Sequence, residues 1–196
     1  WEDMLDIGFS TLYEIETNDD GELSKVIFVD DEPRTMIFDQ QDPTNGVLSY
    51  LMKSYEGFEV SVEGSTLDGD KTIFSIGSSG VPREYFLHDS DKKSVSFLIG
   101  ATEVLADFTL SELEYFSYVN SKGVEIPGWF QPAKKGERLP LVVYIHGGPH
   151  GPFNPYGFNA RFHILNQLGY SVYAPNFRGS GGFGLNFQEA GYKRWG

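Results

Sequence analysis

The first 110 residues carry short runs in which apolar and polar side chains alternate, separated by turns rich in Asp, Gly and Ser. The run 58–62, Phe-Glu-Val-Ser-Val, leads through a Leu-Asp-Gly-Asp turn into a further run at 71–76. Alternation indicates half-buried strands, and Asp-Gly is a favoured hairpin turn. No segment shows a convincing helical period, and runs of about five or six residues at a spacing of about ten predict an all-β sandwich or propeller. The predicted strands are 13–16, 25–29, 35–38, 58–62, 71–76, 84–88 and 94–99.

The pattern changes after about residue 110. Two apolar runs, 115–119 and 124–130, flank Asn-Ser-Lys-Gly, which predicts a hairpin with Gly123 at its turn. The five apolar residues at 141–145 then predict a fully buried strand of a parallel sheet.

A helix and another strand follow. Phe158, Phe162, Leu165 and Leu168 recur at helical spacing before Gly169, so the pattern predicts a helix over about 158–168. The next apolar run, 171–174, predicts a second buried strand. Strand, helix and strand in this order indicate a parallel sheet with right-handed crossovers.

The charge distribution agrees with a boundary near residue 110. Residues 1–110 hold 23 acidic and 7 basic side chains, whereas residues 111–196 hold 5 and 8. We therefore expect two differently built parts, 1–110 and 111–196. The overall charge of −13 argues against a nucleic-acid partner, because phosphate binding needs a basic face. The acidic excess is explained by exposed, solvated turns.

Composition excludes some further classes. The chain of 196 residues has no cysteine, so it has neither disulfides nor thiolate metal sites. No apolar stretch approaches the roughly 18 residues that a membrane helix needs. The compartment remains open, with cytoplasmic and periplasmic or secreted locations both compatible with this composition.

The residues with the clearest chemical meaning are 146–151, His-Gly-Gly-Pro-His-Gly, directly after the predicted strand 141–145. Gly147 and Gly148 let the backbone turn sharply and leave bare amides at the surface. In an α/β-hydrolase, a strand-to-helix loop at this position supplies one N–H of the oxyanion hole. The motif therefore predicts part of an acyl-transfer site.

The second part of the chain resembles the opening of the catalytic domain of the prolyl oligopeptidase family of serine peptidases. The His-Gly-Gly-Pro form is similar to the acylaminoacyl-peptidase-like branch, since the dipeptidyl-peptidase branch usually has Tyr in place of His146. Residues 1–110 look like the last blades of the β-propeller that covers the active site in this family, including 65–70. The matching stretches of the catalytic domain are 123–129, 146–149, 168–170, 175–184 and 195–196.

This resemblance implies a mixed fold, with all-β propeller blades followed by the N-terminal half of an α/β-hydrolase domain. It implies cleavage of short peptides through an acyl-enzyme, with the Gly148 N–H, aided by Gly147, as oxyanion donor. It implies no metal and no organic cofactor.

The catalytic triad of such enzymes is not expected within this chain. A nucleophilic Ser needs a G-x-S-x-G elbow, and residues 77–80, Gly-Ser-Ser-Gly, have the wrong spacing. In the family the elbow, the acid and the His all come later. We therefore expect a middle segment of a longer enzyme, which needs the remainder of the same polypeptide and is inactive alone.

Other candidate residues have simpler explanations. His146 and His150 are four apart, but Gly-Gly-Pro between them prevents a helix and no carboxylate accompanies them, so a zinc site is not expected. We expect His146 to brace the loop by side-chain hydrogen bonds, and His163 to be structural. Arg178 is expected to tie its loop to neighbouring carbonyls or carboxylates.

Three alternative functions remain. Residues 179–184 fit the dinucleotide pattern G-x-G-x-x-G, but they do not open the first strand-to-helix turn as that motif requires. A second alternative is an esterase of the wider α/β-hydrolase class. The third is a non-catalytic, peptidase-like binding module.

Overall fold

The computed structural model describes residues 11–29, 32–100, 102–105, 107–108, 110–134, 138–148 and 153–194. The first part of the chain forms two antiparallel sheets in which consecutive strands are neighbours. One has three strands: β1 (Thr11–Thr17), β2 (Leu23–Val29) and β3 (Pro33–Ile37). The other has four strands: β4 (Glu59–Ser65), β5 (Lys71–Gly77), β6 (Glu84–Asp89) and β7 (Ser94–Ile99). All seven predicted strands overlap these elements.

A helix, α1 (Pro43–Ser54), joins the two sheets, and the prediction that this region contains no helix is wrong. The Asp42 side chain accepts a hydrogen bond from the Thr44 amide at 2.7 Å, which caps the helix, and Pro43 occupies its first turn. Leu48 and Leu51 are buried against the four-stranded sheet, where they pack with the buried Phe74. Tertiary packing of this apolar face therefore stabilises the helix.

The second part forms a mixed four-stranded sheet. Its strands are β8 (Glu114–Val119), β9 (Glu125–Gln131), β10 (Leu141–Val143) and β11 (Ser171–Pro175), in the spatial order β10-β11-β9-β8. The other helices are α2 (Thr102–Leu105), α3 (Ala160–Gln167) and α4 (Leu185–Glu189). The predicted hairpin is the β8–β9 pair, and β10 and β11 pair in parallel as predicted.

Strand β10 differs from its prediction as a fully buried strand. Only three residues are in strand conformation, and β10 lies at the edge of the sheet with β11 as its one neighbour among the described residues. Leu141, Val143 and Ile145 are 53%, 50% and 66% exposed. Full burial requires a strand on either side and cover on both faces. By contrast, every residue of β11 is buried.

Helix α3 begins and ends inside the predicted range. Asn159 caps it by accepting the Arg161 amide at 3.0 Å. Phe162 is buried as predicted, but Leu168 lies beyond the last turn and is exposed, and the polar residues His163 and Asn166 are buried instead. These buried polar groups meet hydrogen-bonding partners in neighbouring elements, which periodicity does not reveal.

The two parts of the chain share a hydrophobic core. Val29 of β2 packs with Trp129 and Val172 of the mixed sheet and with Phe162 of α3. Among the described residues, no helix is long and apolar enough to cross a bilayer.

Candidate active site

Gly147 and Gly148 lie just beyond the carboxyl end of β10. The parallel ladder continues for one more bond, from the Tyr144 amide to the Tyr173 carbonyl oxygen at 2.8 Å, and the chain then leaves the sheet. Both glycines are exposed, and neither N–H donates a hydrogen bond within the described part of the chain. As far as the described residues show, both amides are therefore available to an external acceptor. Residues 149–152, including His150, lie outside the described residues.

His146 connects this segment to the loop that follows β11. Its Nδ1 lies 2.7 Å from the Gly147 carbonyl oxygen, so Nδ1 carries the proton in the neutral ring. Its Nε2 then accepts from the buried Ser180 hydroxyl at 2.8 Å. The ring also stacks on Phe177, with centroids 4.3 Å apart. Two hydrogen bonds and a stacked ring hold the residue that precedes the exposed glycines.

Arg178 lies on the same side of the sheet. It borders a cavity of about 530 Å³ together with Gly148, Lys122 and Arg194. The Arg178 Nε is buried, and it has no hydrogen-bond partner among the described residues. The Nε atom therefore does not make the predicted tie to a carbonyl or carboxylate within this part of the chain.

The glycine-rich stretch 179–184 packs against the three-stranded sheet. The Leu12 amide donates to the Gly182 carbonyl oxygen at 3.1 Å. A Cβ on Gly182 would lie 2.6 Å from Thr11 Cγ2, so this glycine permits a close approach to β1. The helix that follows, α4, has only five residues. This packing supports a structural role for the glycines and gives the dinucleotide alternative no support.

A second group of polar residues fixes the chain at residues 153–156, the start of the next described range. Asn154 and Asn176 form a reciprocal pair, and the Asn154 side-chain amide also donates to the Pro175 carbonyl oxygen at 3.0 Å. Trp129 Nε1 donates to the Asn154 carbonyl oxygen, also at 3.0 Å. These contacts join the loop after β10 to the ends of β9 and β11. Sequence reasoning missed them because the partners are more than 20 residues apart.

The buried Ser79 and the exposed Glu112 form a hydrogen-bonded joint between the two parts of the chain. The Glu112 carboxylate accepts hydrogen bonds from the Ser78 and Ser79 hydroxyls and from the Gly80 amide. His163 Nε2 lies 3.0 Å from the Ser79 carbonyl oxygen, not from its hydroxyl. Burial lowers the pKa of His163 below its usual value, only partly opposed by that carbonyl and by Glu112. Ser79 is therefore a fully buried structural serine and not an activated nucleophile.

No cluster of three or more His, Asp or Glu side chains suited to a metal ion occurs among the described residues. What these residues offer instead is hydrogen-bond donation from two backbone amides. Such donors stabilise negative charge that develops on a carbonyl oxygen.

Comparison with known proteins shows which proteins this chain is similar to. The profile of the prolyl oligopeptidase family matches residues 156–196. Dipeptidyl aminopeptidase BIII from Pseudoxanthomonas mexicana is 28% identical over 151 residues, which cover 70% of this chain. A puromycin-hydrolyzing peptidase from Mycobacterium tuberculosis superposes on 89% of the chain with a TM-score of 0.58 and 20% sequence identity. The chain is therefore similar to members of the prolyl oligopeptidase family, in its last 41 residues by the family profile and over most of its length by fold.

The chain covers a small part of these family members. It spans 21% of the Pseudoxanthomonas peptidase and 27% of the mycobacterial structure. An acylaminoacyl peptidase from Pyrococcus horikoshii shares the fold over 92% of this chain and 27% of its own, with a TM-score of 0.52 and 18% identity. The names of these proteins include both a dipeptidyl aminopeptidase and an acylaminoacyl peptidase. The comparisons therefore do not test the prediction, made from His146, that the chain is similar to the acylaminoacyl-peptidase-like branch.

Proposed function

We propose that this chain is a segment of a serine-type peptidase. Residues 1–110 would be the last blades of a β-propeller, and residues 111–196 the first part of an α/β-hydrolase catalytic domain. The parallel β10–β11 pair, with a glycine loop at the carboxyl end of β10, supports the second assignment. The two antiparallel sheets of consecutive strands support the first.

The chemical role that we propose for this chain is stabilisation of an oxyanion by Gly148, aided by Gly147. When a serine hydroxyl attacks a substrate carbonyl, its proton passes to the general base, a C–O bond forms and the carbonyl π electrons move onto oxygen. The observation that carries the proposal is that both glycine N–H groups are exposed and unbonded within the described structure, while two ring hydrogen bonds hold His146, the residue before them. Preorganised donors of this kind need little reorganisation during the reaction.

The nucleophile, the general base and its acidic partner would come from elsewhere in the parent polypeptide, the longer protein of which we propose this chain to be a segment. The small share of each relative that the chain covers supports this. The substrate would be a short peptide, as the peptidase names of the relatives suggest. The 196-residue chain alone would then have no hydrolase activity.

An activity comparison tests this proposal. The parent polypeptide and the 196-residue chain are assayed with dipeptidyl and N-acyl-aminoacyl p-nitroanilides and with p-nitrophenyl esters, with and without a fluorophosphonate that labels active serines. We expect the parent to hydrolyse a peptide substrate, the fluorophosphonate to abolish that activity, and the chain alone to be inactive.

Three results would contradict the proposal. Steady, inhibitor-sensitive turnover by the chain alone would show that it is not an incomplete segment. Hydrolysis of esters only would favour the esterase alternative. A parent that neither turns over peptides nor reacts with the fluorophosphonate would favour a non-catalytic binding module.

A further inference from the structure

Tyr156 is hydrogen-bonded to both sheets of the first part of the chain, although it belongs to the loop that follows β10. Its backbone N–H donates to the Tyr13 hydroxyl on β1. Its own hydroxyl lies 3.2 Å from the Ser79 hydroxyl oxygen, between β5 and β6. These contacts span 143 and 77 residues of sequence.

The direction of the Tyr156–Ser79 bond follows from counting protons. The Ser79 hydroxyl has one proton, which the Glu112 carboxylate accepts, and its oxygen also accepts the Leu113 amide at 2.8 Å. One lone pair remains, so the Tyr156 hydroxyl is the donor. Burial raises the pKa of both Tyr13 and Tyr156, which keeps both hydroxyls protonated at neutral pH. By accepting the Ser79 proton, Glu112 thereby orients the Ser79 hydroxyl so that its oxygen accepts a hydrogen bond from the Tyr156 hydroxyl.

Tyr156 is also fixed on the side of the mixed sheet. Its ring packs edge-to-face on Trp129, with centroids 5.1 Å apart, and Trp129 donates to the Asn154 carbonyl oxygen. Only four residues separate Gly148 from Phe153 along the chain. The Asn154 side-chain amide also lies 3.4 Å from the Tyr144 carbonyl oxygen, so the 153–156 segment contacts the described chain three residues before Gly147.

We propose that Tyr156 is a positioning residue that couples the two sheets of the first part to the Gly147–Gly148 amides. This inference rests on the proposed oxyanion role of these amides. If the two antiparallel sheets of the first part separate from the mixed sheet, Tyr156 loses its partners Tyr13 and Ser79. The 153–156 segment is then no longer held. The geometry of the oxyanion donors then depends on residues far outside the catalytic part of the chain.

The test uses Tyr156→Phe in the parent polypeptide, which removes one hydroxyl and keeps the ring on Trp129. Tyr173→Phe is the matched control, since the buried Tyr173 hydroxyl donates to the Ile126 carbonyl oxygen on β9 and does not contact the loop. Glu112→Gln is a second variant, which keeps the shape of the side chain and weakens its hold on Ser79. Circular dichroism and melting temperature confirm that each variant is folded.

Kinetics and hydrogen exchange are measured on the same proteins, with a dipeptidyl or N-acyl-aminoacyl p-nitroanilide as substrate. We expect kcat of Tyr156→Phe to fall about ten-fold with KM unchanged, below the roughly 10²–10³ cost of removing a donor outright. Amides of the 153–159 segment should exchange faster in Tyr156→Phe and Glu112→Gln than in Tyr173→Phe. If Tyr156 only stabilised the fold, Tyr156→Phe would not lower kcat while leaving KM unchanged.

The outcomes distinguish this inference from the proposed function. Equal kcat and equal exchange in Tyr156→Phe and Tyr173→Phe overturn the inference even when the parent is an active peptidase. A parent polypeptide without fluorophosphonate-sensitive hydrolysis overturns the proposed function. Hydrogen exchange then tests whether Tyr156 still positions the loop. Faster exchange in Tyr156→Phe supports it, and unchanged exchange overturns it.

Discussion

Asn176 Oδ1 accepts the Asn154 backbone N–H at 2.6 Å, and Asn176 Nδ2 donates to the Asn154 carbonyl oxygen at 3.0 Å. Asn176 is completely buried at the end of β11, and its side chain pairs with both backbone groups of Asn154, whose carbonyl oxygen also accepts from Trp129 Nε1. An unpaired buried amide costs about 1–3 kcal/mol. This pair is therefore a principal anchor of the loop that carries the candidate oxyanion donors.

The first prediction concerns this pair. Asn176→Ala leaves the Asn154 N–H without its acceptor, and we expect it to lower the free energy of unfolding by about 2–3 kcal/mol. Urea denaturation of the chain, followed by tryptophan fluorescence, measures the change. Asn186→Ala, at an exposed position of α4, is the control and should lie within about 0.5 kcal/mol of the wild type. Equal effects of the two substitutions would show that the pair is not an anchor.

The second prediction separates backbone strain from close packing at the glycine-rich stretch. Gly182 and Gly184 have positive φ values of 84° and 85°, but only Gly182 faces Thr11. Both Ala substitutions carry the strain of that backbone conformation, about 1–2 kcal/mol. Gly182→Ala should destabilise the chain by at least about 1 kcal/mol more than Gly184→Ala, because it also overpacks the contact with β1.

Thr11→Ser provides the corresponding rescue, since it removes the Cγ2 atom that the new methyl group would meet. We expect the double variant Thr11→Ser/Gly182→Ala to recover most of the difference between the two Ala variants in the same denaturation measurement. No recovery would mean that Thr11 does not limit the side chain at position 182.

The third prediction concerns the pH dependence of stability. Burial lowers the pKa of His163 below its usual value of 6.5, so at lower pH the unfolded chain binds more protons than the folded chain. The contribution of His163 is therefore complete above pH 6.5 and declines as the pH falls below it, by up to about 1.4 kcal/mol per pH unit. His163→Gln should flatten the stability profile between pH 7 and pH 5. Parallel wild-type and variant profiles would contradict this assignment.

The fourth prediction concerns the ring of His146. His146→Phe keeps the stacking on Phe177 but loses both ring hydrogen bonds, whereas Ser180→Ala removes only the donor to Nε2. In the parent polypeptide we expect kcat/KM to fall about ten-fold for His146→Phe and less for Ser180→Ala, since a misplaced site can cost up to about 10²-fold. Ser117→Ala, which removes an exposed hydrogen bond to Glu125, is the control. Wild-type kcat/KM in His146→Phe would show that the ring does not brace the loop.

Much of the secondary structure could be predicted because it depends on local patterns. Alternating residues identify β1 and β4, and the Gly123 turn identifies the β8–β9 hairpin. Helix α1 was missed although Asp42 and Pro43 are local signals of a helix start, because the alternating pattern on both sides favoured strands. The exposure of β10 follows from its position at the sheet edge, which strand composition does not reveal.

The candidate site could be predicted only in part. Gly147 and Gly148 follow an apolar strand directly, so their position after β10 is a local property of the sequence. The contacts that support them, such as His146 with Ser180 and Asn154 with Asn176, join residues 34 and 22 positions apart. No spacing rule connects such residues, because the parallel pairing of β10 and β11 and the loops at their ends bring them together.

The most direct measurement of the central claim removes the N–H of Gly148 without changing any side chain. Glycolic acid in place of Gly148 in the parent polypeptide replaces the backbone amide with an ester. We predict that kcat falls by about 10²–10³-fold with KM nearly unchanged. The fluorophosphonate should still label the folded Gly148 ester, but more slowly than it labels the wild type. The same replacement at the exposed Gly184 should leave kcat near the wild-type value. A kcat for the Gly148 ester equal to that of the Gly184 ester would contradict an oxyanion role for this amide.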